Sequence, residues 1–232
     1  MPHALFVYAA PNEARVLACL PATHRVVEVG VGPARAAMNL TRALLLGPPP
    51  DLVVSVGVCG VYPSRLAEPA PPTVPAVGDV VLVTRDRFAD EGVESEHGFV
   101  SAHALGLVGE LEFTAPAELA EWAAGTLSLP RLSGATVSTC SASDARAREL
   151  RQRSGAQVET MEGAAIALVS ARFGLPWLQL RAVSNECGDR ARAGWDLERA
   201  LDRASEVVSA LAGLLAGRSW KMGAAPSDEG RA

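Results

Sequence analysis

Apolar residues recur along this chain in two alternating rhythms, short continuous runs and longer stripes spaced by three or four. Runs at 5–9, 25–29 and 52–56 read as buried strands, and the segments between them, from about Asn12 and from Pro33, read as helices. Pro33 suits a first helical position because its missing N–H would be unpaired there anyway. Ala36, Ala37, Leu40, Ala43 and Leu44 supply that helix with an inward stripe before Gly47 and three prolines stop it. A Pro- and Ala-rich stretch over 64–77 predicts an irregular loop before a strand at 79–84. Further helices are predicted over 116–126, over 144–152 with Ser143 as its cap, and over 197–215 with Leu201, Val207, Val208, Leu211, Leu214 and Leu215 apolar. From Gly217 the composition turns polar and rich in Gly, Pro and Ala, so 217–232 reads as a disordered tail to a domain of 1–216. Strands alternating with helices predict an α/β fold with a mainly parallel, covered sheet.

The segment from Val158 to Asn185 carries the densest chemistry. A short run at 157–160 leads into a helix whose stripe is Ile166, Val169 and Phe173, ended by Gly174 and Pro176. A buried strand follows over 177–183, with Leu178, Leu180 and Val183. Glu162 is thereby expected in the first helical turn, where a negative charge is favoured. Ser184 and Asn185 are expected just past a carboxyl-terminal strand edge, where open α/β sheets bind ligands.

Composition narrows the class. A chain of 232 residues, 49% hydrophobic, can bury one full core, and a formal charge of -5 with a pI near 5.4 argues against a nucleic-acid or anionic-membrane surface. No basic leader precedes the short apolar run near the amino terminus and no stretch reaches the ~20 apolar residues of a membrane span, so a cytoplasmic enzyme is expected. Cys19, Cys59, Cys140 and Cys187 form no CxxC and have no His at ligand spacing. They are read as ordinary thiols, with neither a disulfide framework nor a metal site, and His3, His24, His97 and His103 are scattered. Gly30-Val31-Gly32-Pro33 follows a strand and opens a helix, but Arg35 stands where a dinucleotide fingerprint has its third glycine. No cofactor is expected, and the turn is either a tight connection or a loop lining a ligand site.

In order, GVGPARAA, SVGVCG, VGDVVLVTRDRFADEG, TVSTCSAS, VETMEGAAIA and RAVSN resemble the nucleoside phosphorylase and nucleosidase superfamily, across the chain to about Ala216. ADEG, and RAVSN followed by Trp195-Asp196, look most like the futalosine-hydrolysing branch of the alternative menaquinone route. The resemblance implies a single-domain three-layer sandwich with a mixed, mostly parallel central sheet flanked by helices, and a homo-oligomer acting on a small nucleoside without metal or organic cofactor. It implies that Glu162 accepts from ribose hydroxyls and that Met161 packs beneath the sugar. Both roles suit the residues: an ionised carboxylate is acceptor-only, and electron-rich groups favour the oxocarbenium-like transition state of glycosidic cleavage. A helix-dipole acid is the plainer alternative for Glu162.

Two departures sharpen the resemblance. Adenine-releasing nucleosidases carry an Asp where Asn185 stands; an amide cannot act as a general acid in that way, but it can donate to N7 or O6 and accept from a ring N–H, as a 6-oxopurine requires. Asn185 as a simple turn residue is the alternative. Phosphorylases carry an Arg and a Ser in a segment resembling RVGSCG, where this chain has Ser55 and Val58, so water is the expected nucleophile and Glu13 the group that orients and deprotonates it, unless Glu13 is merely a solvated acid.

Ser141, Ala142 and Ser143 match the backbone segment set against the purine. Phe88 and Trp195 are expected near the sugar's aromatic substituent, and Arg87, Arg190 or Arg192 near its carboxylate. Hydrolysis of futalosine to hypoxanthine and its sugar product is thus the leading expectation. The competitors are a 6-oxopurine nucleoside phosphorylase, a methylthioadenosine/S-adenosylhomocysteine-type nucleosidase, and a non-catalytic nucleoside-binding protein.

Overall fold

A computed structural model describes residues 3–66, 74–192, 194–215 and 220. The elements in chain order are β1 (Ala4–Tyr8), β2 (Arg25–Glu28), α1 (Pro33–Leu46), β3 (Leu52–Val61), β4 (Val80–Phe88), β5 (Gly92–Ser95), β6 (Gly98–Ser101), β7 (Glu112–Thr114), α2 (Ala117–Leu127), β8 (Arg131–Thr136), α3 (Asp144–Ser154), β9 (Val158–Thr160), α4 (Gly163–Arg172), β10 (Trp177–Glu186) and α5 (Leu197–Leu215). They form a single α/β domain on an eight-stranded mixed sheet flanked by helices, ordered β10-β4-β8-β9-β3-β1-β2 with β7 beside β4; β5 and β6 form a separate hairpin. Among the described residues no helix is long and apolar enough to cross a membrane.

The sheet curls. Strand β10 pairs parallel with β3 and antiparallel with β4, while β3 also pairs antiparallel with β9, so β3, β10, β4, β8 and β9 close a circuit. Closure needs long strands, and β3 and β10 have 10 residues each. Both are almost wholly buried, the continuous apolar signature of a strand covered on two sides.

Several boundaries differ from the sequence reading for identifiable reasons. The segment after β1 is a 3-10 helix, Pro11–Leu17. Strand β10 continues through Ser184 and Asn185, because β3 runs on to Val61 and offers it a partner; the pairing shifts register between Val183 and Asn185. Phe173 leaves the predicted stripe: α4 stops at Arg172, and Phe173, 39% exposed, is its C-cap. The helical stripe of α1 is inward at Ala36, Leu40 and Leu44, and that of α5 at Leu201, Val208, Leu211 and Leu215, whereas Leu214 is exposed. Of the predicted loop over 64–77, residues 67–73 lie outside the described residues. So does the tail from Gly217 except Trp220, whose ring centroid lies 4.9 Å from that of Trp122.

Candidate active site

The carboxyl ends of β1, β3, β9 and β10 surround a cavity of about 280 Å³. Glu13, Ser141, Ala142, Met161, Glu162, Asn185 and Trp195 all line it, brought together from five separate stretches of chain. Val31 of the glycine turn lines it too, so the turn forms part of the cavity wall.

Glu13 is buried, and its carboxylate is held by three backbone donors. Oε2 accepts from the N–H groups of Ala9 and Ala10, at 3.0 Å each, and Oε1 accepts from Val58 N–H at 3.0 Å. The 3-10 turn that begins at Pro11 folds the acid back onto the end of β1. Oε1 keeps a lone pair for a further donor. Glu13 is therefore neither solvated nor a mere helix-start acid.

Glu162 is the N-cap residue of α4, one position earlier than expected, and its Oε1 accepts from Gly32 N–H at 3.0 Å. Gly32 has φ 96, and the turn it shares with Gly30 at φ 81 aims that N–H at the carboxylate. Oε2 has no protein donor among the described residues. Burial raises the Glu162 pKa; the Arg181 guanidinium and the Gly32 N–H oppose that rise, while Glu13 and Asp86 reinforce it. Met161 sits beside it on the cavity wall.

Asn185 faces the cavity from the register shift of β10. Its Oδ1 accepts from the Ser184 hydroxyl at 2.8 Å, and its Nδ2 donates to Glu186 carbonyl at 2.9 Å. Each amide end thus has one partner and retains capacity for a second.

Other expectations are redirected. Phe88 does not reach this cavity: it ends β4 in the core, its ring edge-on to Phe113 at 6.3 Å. Ser143 lies outside the cavity wall because its hydroxyl caps α3, accepting from Arg146 N–H at 3.3 Å. Arg87 belongs to a separate surface depression with Phe99 and Arg153, whereas Arg190 stands at the cavity rim, 5.3 Å over the exposed ring of Trp195. The side chain of Arg192 lies outside the described residues. Asp90 accepts from Ser138 N–H at 2.8 Å and so ties the ADEG turn to the segment after β8. Burial pushes the Cys59 thiol up to about 12 and Cys140 to about 11, so neither is an activated nucleophile.

Three buried polar residues went unread in the sequence. Arg181 is 1% exposed, its Nη2 donates to Ser55 Oγ at 3.0 Å, and its Nη1 and Glu13 Oε1 both close on Gly57, where a Cβ would stand 2.3 Å and 2.5 Å from them. Asp86 lies beneath the β9-α4 junction, and Glu159 lines the cavity from β9. A signal for one existed: Gln179 and Arg181 interrupt the apolar run of β10 at alternate positions, which marks polar groups committed to one face of a buried strand.

The described geometry has relatives. Residues 22–217 match the model of the phosphorylase superfamily. A futalosine hydrolase of Streptomyces coelicolor is 40% identical over 207 residues, covering 87% of this chain and 83% of that protein. One from Thermus thermophilus is 32% identical over 189 residues, covering 80% and 79%. Among solved structures, the fold matches a 5'-methylthioadenosine/S-adenosylhomocysteine nucleosidase of Helicobacter pylori with butyl-thio-DADMe-Immucillin-A, at TM-score 0.76 and 18% identity over 93% of this chain and 99% of that one. It also matches the native futalosine hydrolase of Helicobacter pylori, at TM-score 0.75 and 17% identity over 92% and 98%.

Proposed function

The chain belongs to the phosphorylase superfamily, and we propose that within it the protein hydrolyses the N-glycosidic bond of futalosine, releasing hypoxanthine and the dehypoxanthinyl sugar in the futalosine route to menaquinone. The observation that carries this is the seating of Glu13. The N–H groups of Ala9, Ala10 and Val58 converge as an anion-binding nest would, but the chain's own carboxylate already fills it. A phosphate approaching there meets a negative charge and three backbone donors already taken, and the Arg and Ser of the phosphorylase pattern are Ser55, which accepts from the buried Arg181, and apolar Val58. A water molecule instead meets a base with a free lone pair.

The remaining groups divide the work. Glu162 Oε2 accepts from the ribose hydroxyls while Met161 packs against the sugar, and the negative charge of Glu162 favours the positive charge that develops at the anomeric carbon. Glu13 takes the proton of the attacking water as its oxygen bonds to that carbon and the bond to the base breaks. The electron pair leaves with the base, where Asn185 donates a hydrogen bond to the 6-oxopurine anion through its second amide hydrogen; the anion takes one proton from solvent as hypoxanthine departs, and Glu13 returns its own to solvent. Arg181 is buried beneath both carboxylates and counters their mutual repulsion.

The proposed working unit is a homo-oligomer, an assembly supported by the exposed Val93, Val100, Leu107 and Val108 on the β5-β6 hairpin and the turn after it. Light scattering of the purified protein checks the assembly; a monomer at micromolar concentration contradicts it. For the activity, purified protein should release hypoxanthine from futalosine in phosphate-free buffer. Turnover of methylthioadenosine in preference to futalosine would overturn the substrate.

A further inference from the structure

Glu159 has no part in the chemistry described so far, yet it is a buried acid on the cavity wall, 5% exposed. Among the described residues three groups donate to its carboxylate and none accepts from it. Oε2 takes the Tyr62 hydroxyl at 2.9 Å and the Ser141 hydroxyl at 2.7 Å, while Oε1 takes only Ser141 N–H at 2.9 Å. Burial raises its pKa, and the Ser141 and Tyr62 donors oppose the rise, so the ionised form is the one that these neighbours serve. No other described residue donates to Oε1, which keeps a lone pair for a further donor.

Its position relates it to Asn185. Gly60 of β3 is level with Glu159 of β9 on one side and with Asn185 of β10 on the other. Side chains at the same level on neighbouring strands point to the same face, and the residue between these two has no side chain. A Cβ at Gly60 would stand 3.3 Å from Asn185 Nδ2 and 2.6 Å from Cys187 Sγ, so the glycine keeps this stretch of wall clear. Asn185 and Glu159 therefore flank one space, bordered by the Ser141-Ala142 segment that Glu159 itself grips.

We propose that Glu159 is the residue that selects a 6-oxopurine, its carboxylate Oε1 accepting a hydrogen bond from the base N1–H. The inference rests on the nucleosidase function proposed above and names what that site demands of the base. A 6-oxopurine carries a hydrogen on N1. A 6-aminopurine presents a lone pair there, which would face an acceptor-only group. Asn185 cannot make this distinction alone, because an amide can turn to offer either a donor or an acceptor. Sites that hydrogen-bond a ligand group reject the analogue lacking it far more strongly than apolar pockets reject a shape.

The test compares bases first and variants second. Wild-type protein, shown active on futalosine, is titrated calorimetrically with hypoxanthine, 1-methylhypoxanthine and adenine. Loss of the N1–H should weaken 1-methylhypoxanthine and adenine by about 100-fold relative to hypoxanthine; binding of either within about threefold would overturn the assignment. Glu159→Gln keeps an acceptor for the Ser141 and Tyr62 hydroxyls and, with its amide nitrogen in the Oε1 position, gains a donor for N1 at the expense of the Ser141 N–H bond. It should lower kcat/KM for futalosine and raise it for the 6-amino analogue, moving their ratio by about 30-fold or more. An equal fall on both substrates would mean that Glu159 only clamps Ser141, and the proposal would fail. If wild-type protein does not hydrolyse futalosine at all, the proposed function falls instead, which separates the two failures.

Discussion

The base proposed in Glu13 is positioned by what its neighbours donate. Three backbone N–H groups fix both carboxylate oxygens and leave one lone pair toward the cavity. In Glu13→Gln the amide NH2 would face donors, and the residue could no longer take a proton, so kcat for futalosine should fall by about 10² to 10⁴ with KM little changed. Steady-state kinetics with a thermal-melt control checks this, and retention of a tenth of wild-type kcat would remove Glu13 from the mechanism. Glu162→Ala should lose about 10²-fold or more in kcat, since the stabilisation it provides grows as charge develops. The meeting of Met161, Glu162 and Asn185 on one cavity wall was legible in the sequence because their types and order along a strand-helix-strand unit carry it. Phe88 and Ser143 were misplaced because adjacency along the chain does not say which side of a strand end faces the cavity. Glu159 and Arg181 escaped because their meaning lies in cross-strand partners far away in the chain.

At the scale of elements, a buried cluster holds the β9-α4 junction that presents Met161 and Glu162. Asp86 of β4 accepts from Thr136 of β8 at 2.8 Å and from Gln179 of β10 at 2.9 Å, while Thr136 Oγ1 accepts from Ala164 N–H at the start of α4. Gly163 fits over the cluster only because it lacks a side chain, since a Cβ would stand 2.0 Å from Asp86 Oδ2. Burial raises the Asp86 pKa from 3.8 to about 6, against the hydrogen bonds from Gln179 and Thr136. Between those values the folded state holds a proton that the unfolded state has released, so Asp86 makes stability fall as pH rises from about 4 to about 6. The shift of about two units corresponds to roughly 3 kcal/mol. Asp86→Asn cannot ionise, and Gln179 can turn its otherwise unpartnered Oε1 toward the new amide. Urea denaturation from pH 4 to pH 7 should therefore show the variant gaining on wild type by up to about 3 kcal/mol; parallel pH curves would contradict it. Helices α1 and α5 were legible from apolar spacing and flanking Gly and Pro, and β3 and β10 from apolar runs. The hairpin β5-β6 was not, because its residues are exposed or half-buried and only mutual pairing defines it.

For the whole molecule, the curled sheet gathers residues from both ends of the chain around one cavity. The parallel, covered sheet followed from the alternation of strands and helices, but its closure through β10-β3 and β3-β9 depends on pairings that no local pattern encodes. That closure brings Arg181 and Glu13 up against Gly57, so Gly57→Ala should cost about 10²-fold in activity by displacing the proposed base. The central claim is that water, held by Glu13, is the partner of the sugar. Single-turnover cleavage of futalosine in ¹⁸O-labelled water, with and without phosphate, tests it most directly. The sugar product should carry one ¹⁸O at the anomeric carbon, and hypoxanthine should appear at the same rate in both buffers; a sugar 1-phosphate, or release only when phosphate is present, would contradict it.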